Sequence, residues 1–579
     1  MDKKLDHIRH SAAHLLATAV TELWPDAKRT IGPAIENGFY YDFDFVKPIS
    51  EEDLPKIEQK MREILKTWNK FEGREISADE ARAMYKDNPY KLELIDEFSR
   101  EGQPLTVFKS GNFEDLCRGG HSENPQQDLQ HFKLLSLAGA YWRGSEKNKM
   151  LTRIYGTVFL SQKELEDYLN MLEEAKKRDH KKLGKELDLF FIDEEVGAGL
   201  PLWTPKGTAV KRELEKLTRD LEHKYHYQHV DTPYLGSEKL YQTSGHLAHY
   251  KSKMYAPIKM DEDVIYLRPM SCPHHIKIYQ HHQRSYRELP IRYAEIADYN
   301  RYEKSGELMG MIRVRKFQLT DAHIFVTQEG LKEEFKNVCR LIDESLTTLG
   351  LKPVITYRFS KHDPADKEKY FPDPGLWNKA ENVMKEALDE IGFKYYEASG
   401  EAAFYGPKLD IQIKNVNSKE DTIFTAQIDF LLPQQFDLKY IDENGQEKRP
   451  VMIHRSVLGA LERTFAYLIE HYAGAFPTWL SPVQVVVIPI SDKHQEYGQK
   501  IYNQFYDQNI RVELDERSET MQSKIRDAQI QKIPYMIILG DREQSENKVS
   551  VRKRNGENLN GLEFDQFLTD LKKEIDTKG

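Results

Sequence analysis

Residues 10–14 read HSAAH, and residues 117–121 read CRGGH. His10 and His14 are four apart, so on a helix they share one face. Cys117 and His121 repeat that spacing. Three imidazoles and a thiol are the donor types of a zinc centre. HSAAH lacks the glutamate that HExxH metalloproteases use as general base. Two readings stay open for this quartet: a structural zinc, or a pocket whose imidazoles orient water against an ester. A second group of reactive side chains lies in RYEKSGELMGMIRVRKF (301–317), which brings Arg301, Glu303, Arg313 and Arg315 together across a glycine-containing loop. Guanidinium groups pair bidentately with phosphate oxygens, so arginines on a stiff sheet suit a polyphosphate. A glutamate beside them can accept from the exocyclic amine of a base. VLGALER (457–463) adds Gly459, where backbone can approach closely, and Arg463, which can reach a terminal phosphate. Taken alone, a charged strand with ion-paired arginines is the commoner explanation of RYE…RVR.

These groups need a large scaffold. The chain has 579 residues, 39% hydrophobic and 31% charged, enough for about four domains of ordinary globular balance. MDKKLDHIRH has no apolar h-region, which argues against a signal peptide, and no apolar run is long enough to span a bilayer. Cys117, Cys272 and Cys339 are too few and too scattered for a disulfide framework, which points to a reducing cytoplasm. The net charge of −10 disfavours a chain coated in nucleic acid, although AKKRDHKKLGK (175–185), RVRK (313–316) and VRKR (551–554) are local basic patches.

Four blocks are legible. Block 1–160 combines a helix over about 7–23, a strand at GFYYDFDF (38–45) and charged helical stretches. Residues 163–185 carry one long, highly charged helical pattern, expected to be a solvated connector (161–185). Block 186–480 mixes strands at 291–303, 313–326 and 421–430 with helices at 208–226, 328–348 and 374–391, which predicts an α+β fold on an antiparallel sheet. Block 481–579 has solid apolar strands at 483–490, 510–516 and 535–541 between helices near 493–508 and 519–531, the pattern of a small α/β domain with a buried, largely parallel sheet.

The arrangement Arg-x-Glu, loop, Arg, then a late Gly-x-x-Glu-Arg helix resembles motifs 2 and 3 of the class II aminoacyl-tRNA synthetases. The helix at 208–226 followed by HVDTPYL resembles their motif 1, which builds the dimer interface. RPMSCPHH, SGHLAHY, RYEKSGEL, DAHIF, AFYGPK and MIHRSVLGALER are similar to the threonyl-tRNA synthetase family, and so are HSAAH, PYKLELI, CRGGH and AGAYWRG in the first block. The likeness runs along essentially the whole chain. Many family members carry a further small N-terminal domain ahead of the editing domain, where this sequence starts.

The resemblance implies three domains, for editing, catalysis and anticodon binding, in a cytoplasmic homodimer that meets no membrane. It implies a threonine–tRNA ligase that makes threonyl-adenylate from ATP, transfers threonine to tRNA(Thr) and hydrolyses mischarged Ser-tRNA(Thr). Zn2+ would be held by Cys272, His323 and His454, a three-ligand set with an open position. Asp321, Tyr405 and Gln427 would bind threonine. Arg301, Glu303, Arg313, Arg463 and Met270 would bind ATP, which arrives with Mg2+. His246 and Arg301 would stand at the reacting groups. Threonine and valine are near isosteres, and a site that must bond the hydroxyl rejects valine by roughly 10⁴, whereas serine lacks only a methyl, worth ~1–3 kcal/mol. A hydrolytic site is therefore needed, and the resemblance assigns it to His10, His14, Lys91, Asp115, Cys117 and His121, acting without a metal. In the last block Glu543 and Arg552 match positions that read anticodon bases, while Ser518 stands where some members have asparagine. Two other readings compete with this one. A non-catalytic RNA-binding regulator should have lost an arginine or a zinc ligand, and a synthetase for serine or proline should lack both the ligand triad and the HxxxH/CxxxH pair.

Overall fold

A computed structural model describes residues 3–416 and 418–578. The chain forms two compact units, Met1–Glu173 and Glu174–Gly579. The division falls inside the helix Gln162–Arg178. Among the described residues no helix is long and apolar enough to cross a membrane.

In the first unit the helix Lys3–Leu23 buries Ile8, Ala12, Leu15, Leu16, Ala19 and Val20. They pack on Phe39, Tyr41 and Phe43 of the strand Gly38–Asp44, which alternates its aromatics as the sequence predicts. That strand pairs antiparallel with Met150–Phe159, which pairs with His131–Tyr141. A separate three-stranded sheet runs Glu72–Ile76, Leu105–Ser110, Phe113–Leu116.

The second unit is built on an eight-stranded sheet in the order 228–229, 291–300, 316–326, 451–460, 420–429, 408–414, 355–361, 395–399. All inner pairs are antiparallel, and only the outermost pair at each edge is parallel. Side chains alternate across it. Ala322, Ile324, Ile453, Val457, Phe424 and Ala426 point into the core, where the helices Pro205–Lys224, Leu331–Thr348, Pro374–Ile391 and Leu461–Tyr472 bury Leu214, Phe335, Met384 and Phe465. Their neighbours in sequence, Asp321, His323, His454 and Ser456, line a cleft on the opposite face.

Three expectations change. The connector is two helices, Gln162–Arg178 and His180–Glu186, separated where Asp179 caps the second. The second is not solvated on all sides: His180 and Leu183 are buried in the second unit. Gly459, expected at the start of the helix, lies inside the strand Val451–Ala460 one residue before its end, at a φ of +60° that glycine tolerates. The last sheet, ordered 512–514, 485–489, 535–539, 549–553, 558–562, is parallel over its first three strands and antiparallel over the last two.

Phe424 is fully buried at the centre of the main core. Truncation to alanine should cost about 3–5 kcal/mol, read as a lower urea midpoint for the second unit.

Candidate functional site

The cleft is set by one register pair. His323 lies directly opposite His454 on adjacent antiparallel strands, and their rings meet edge to face at 4.7 Å. Cys272 comes from the first turn of the helix Cys272–Gln280. All three are buried, and their ligand atoms lie within 4.8 Å of one another. Cys272 opens its helix, whereas the two histidines lie well inside their strands.

Each imidazole is held by its other nitrogen. His454 Nε2 meets Asp429 Oδ2 at 2.7 Å, and Asp429 Oδ1 accepts from the backbone N–H groups of Leu431 and Leu432. His323 Nδ1 meets His275 Nδ1 at 2.9 Å, and His275 Nε2 meets Glu295 Oε2 at 3.0 Å. Glu295 also accepts from Thr232 Oγ1 and Arg268. A carboxylate at the far end makes His275 Nε2 the donor, so its Nδ1 accepts from His323. One lone pair on each of His323 and His454 is thereby turned to the cleft. Burial lowers the His323 pKa well below its usual value and raises that of the Cys272 thiol. Two imidazoles, each hydrogen-bonded through its other nitrogen, and an ionisable thiol form a donor set that fits zinc, and a bound cation would favour the thiolate.

Around this triad, Asp321 accepts from Ser271 Oγ at 3.0 Å and from the Tyr299 hydroxyl. The Tyr405 hydroxyl donates to Gln427 Oε1 at 2.5 Å, and its ring stacks on His454 at 5.0 Å. His246 is buried, with Nδ1 2.8 Å from Ser244 Oγ and Nε2 3.4 Å from Met270 Sδ. Burial brings its pKa down to about 3, so the ring is neutral. Further along, Arg301 lies over Phe317, and Arg463 donates to the carbonyls of Ile312 and Thr422. Arg313 and Lys253 both pair with Glu303, at 3.0 and 2.8 Å. The strands end at Asn300 and resume at Lys316, so Arg301, Glu303 and Arg313 stand in the loop between them and not on the sheet, and the ion pairs and the arginine cluster belong to that one loop. Cys272, His323, His454, Asp321, Tyr405, Gln427, Met270, Arg301, Glu303, Arg313 and Arg463 all line one cleft. His275, Glu295, Asp429, Ser271 and Tyr299 escaped the sequence reading; only the doubled histidine of CPHH was a visible signal.

The first unit brings the other quartet together. His10 Nε2 is 3.0 Å from His14 Nε2 and 3.1 Å from Cys117 Sγ, and Cys117 Sγ is 3.4 Å from His121 Nε2. Cys117 and His121 sit on an irregular loop, turned back through Gly119 and Gly120 at φ +91° and +81°. His10, His14, Lys91, Asp115 and Cys117 line a cavity floored by Tyr41. His121 lies behind them, stacked on Phe71 at 4.2 Å. Lys91 and Asp115 are buried and pair at 2.8 Å, and the Tyr41 hydroxyl donates to Asp115 at 2.7 Å. Burial opposes ionisation of Asp115, but Lys91 and Arg29 override it and hold the carboxyl well below its usual range. Burial lowers the pKa of His10 and His14, and brings His121 to about 3. The floor is therefore charged and internally compensated, and the imidazoles above it are neutral bases. In the last block Glu543 accepts from Ser550 Oγ at 2.7 Å and Arg552 donates to Asn558 at 3.1 Å.

Comparison with known proteins matches this geometry to a class. Residues 250–472 match the tRNA synthetase class II core domain (G, H, P, S and T), 484–574 an anticodon binding domain, and 105–155 the threonyl and alanyl tRNA synthetase second additional domain. The fold and cleft are those of a class II aminoacyl-tRNA synthetase. The chain is 51% identical over 578 residues to a threonine–tRNA ligase of Anoxybacillus flavithermus, covering 99% of this chain and 89% of that one. It is 50% identical over 570 residues to threonine–tRNA ligase 1 of Bacillus subtilis, covering 98% and 88%. A solved structure of the RNA binding domain of threonyl-tRNA synthetase from Cryptosporidium parvum superposes with a TM-score of 0.63 at 35% identity, covering 68% of this chain and 98% of that one. The chain belongs to the threonine–tRNA ligase family.

Burial pushes the Cys117 thiol up to about 11. Its alkylation by iodoacetamide at pH 8 should be roughly a hundredfold slower than that of a free thiol of pKa ~8.5. The rate should still climb about tenfold per pH unit between pH 8 and 10; a plateau near 8.5 contradicts the burial argument.

Proposed function

We propose that the two cavities divide the work of a threonine–tRNA ligase. The cleft of the second unit activates threonine with ATP and transfers it to tRNA(Thr). The cavity of the first unit hydrolyses mischarged Ser-tRNA(Thr). The observation that carries this reading is the convergence of Cys272, His323 and His454 in a cleft that Arg301, Arg313 and Arg463 also line.

On this reading Cys272, His323 and His454 hold Zn2+, which when bound supplies a Lewis-acidic position for the amino group and hydroxyl of threonine. Asp321 accepts from the substrate hydroxyl, and Tyr405 and Gln427 fix the amino end. Arg301, Arg313 and Arg463 take the phosphates of Mg2+–ATP, while Glu303 accepts from the adenine amine beside Met270. The threonine carboxylate attacks the α-phosphorus in line. A carboxylate–phosphorus bond forms, pyrophosphate leaves, and the arginines carry the charge that moves onto the phosphates. No side chain becomes a covalent nucleophile, so the site acts by positioning and electrostatics. A terminal tRNA hydroxyl then displaces AMP beside the neutral His246.

In the other cavity His10, His14, Cys117 and Lys91 orient water, with Asp115 paired to Lys91 and His121 stacked behind them, and the pocket binds the terminal adenosine. Four segments follow: editing 1–160, connector 161–185, catalysis 186–480 and anticodon binding 481–579, with Glu543 and Arg552 reading bases. Exposed Phe191 and Ile192, on the strand pair leading into the helix Pro205–Lys224, support a homodimer. The reading places the enzyme in the cytoplasm, with its tRNA.

Amino-acid-dependent ATP–pyrophosphate exchange should be strong with threonine, weaker with serine and absent with valine. Cys272→Ser should lose bound zinc by elemental analysis and threonine-dependent exchange with it, while ATP binding persists. Full exchange in a zinc-free Cys272→Ser protein sinks the assignment. Lys91→Ala should slow deacylation of Ser-tRNA(Thr) by ~10²-fold or more and leave threonine exchange unchanged.

A further inference from the structure

His180 belongs to none of the sites above, yet it is 2% exposed. It is the first residue of the helix His180–Glu186, in the basic stretch expected to be a solvated connector. Its Nδ1 lies 2.7 Å from Glu470 Oε1, on the helix Leu461–Tyr472 that also carries Arg463. Its Nε2 lies 3.2 Å from the backbone nitrogen of Met311. The backbone N–H can only donate, so His180 Nε2 must accept, and Nδ1–H must donate to Glu470. Both ring nitrogens are thus committed. Glu470 Oε2 is committed as well, accepting from the backbone N–H of Val416 at 3.2 Å.

Met311 sits in the turn that precedes Arg313. Residues 309 and 313 exchange backbone hydrogen bonds, Met309 N to Arg313 O at 3.1 Å and Arg313 N to Met309 O at 3.2 Å. Two outside groups hold this turn. Arg463 Nε donates to Ile312 O at 3.0 Å, and His180 accepts from Met311 N–H. The imidazole also fills the space where a side chain at position 310 would go: a Cβ on Gly310 would lie 2.1 Å from His180 Nε2. Met311 is fully buried, so a lost acceptor leaves an unpaired N–H in the core.

We propose that His180 is a positioning residue for ATP. It fixes, from the connector, the turn out of which Arg313 reaches the phosphates. The proposal rests on the reading of Arg313 as an ATP ligand. Residues 179–186 are then part of the nucleotide site, and displacement of that helix releases the turn without touching the threonine pocket.

The test measures ATP–pyrophosphate exchange and backbone hydrogen exchange in the full chain for His180→Ala, His180→Gln and Arg313→Ala. His180→Ala should speed hydrogen exchange at Met311 and raise KM for ATP by about tenfold, the worth of one buried hydrogen bond. KM for threonine and the deacylation of Ser-tRNA(Thr) should stay unchanged, which a general loss of folding would not allow. His180→Gln, which keeps an acceptor, should restore part of the ATP KM. Faster exchange at Met311 with an unmoved ATP KM, while Arg313→Ala raises it, overturns the positioning role alone. An unmoved ATP KM in Arg313→Ala overturns the nucleotide reading itself and the proposal with it. Equal threonine and ATP defects in His180→Ala, unrelieved in His180→Gln, also overturn the proposal.

Discussion

The second unit depends on a single constraint, the register between strands Lys316–Val326 and Val451–Ala460. Hydrogen bonding pairs Ala322 with Arg455, His323 with His454 and Ile324 with Ile453. Because side chains alternate across a sheet, this pairing delivers two imidazoles to the cleft and two isoleucines to the core together. The core residues make slippage costly, so the fold energy of Ile324, Ile453 and their helical partners also fixes the imidazole pair. Site geometry and stability are one equilibrium here.

Buried charge is handled in the same way in both units. Glu295 takes bonds from His275, Arg268 and Thr232, and its carboxyl is held down to about 2 although burial opposes ionisation. Asp115 takes bonds from Lys91 and Tyr41 beneath the other cavity. In each case a carboxylate below the working groups orients them and stays charged, which is affordable only when every lone pair is used. Burial separately lowers the pKa of His10, His14 and His323, so these rings offer lone pairs to their cavities.

Much of this was legible in the sequence, for identifiable reasons. Strands such as 38–45 and 535–541 announce themselves by apolar or aromatic patterning, and His10/His14 by helical spacing. The arginines of RYE…RVR were readable as a cluster because one short loop joins them. Cys272, His323 and His454 were not: they lie tens of residues apart, and only tertiary pairing unites them, so resemblance had to choose them among 20 histidines. Supporting residues such as His275, Glu295 and Asp429 leave no periodic trace, since a single hydrogen bond imposes no spacing. The connector misled for a related reason. AKKRDHKKLGK is so heavily charged that the burial of His180 and Leu183 is hidden in its average polarity, and the helix break at Asp179 looks like one more polar residue.

Arg455 gives the register a meaning of its own. It is fully buried on the core face, next in sequence to His454, with its guanidinium bonded to Glu222 and stacked 4.1 Å from the Tyr227 ring. One residue inserted or deleted within 451–456 would send this guanidinium into the cleft and an imidazole into the aliphatic layer. The strand therefore reads like a coding frame, tolerant of some exchanges of letters and intolerant of any change in their number. Variation in length between lineages, and loops grafted by design, belong at segments such as 442–447, where polar turns face solvent and no count is kept.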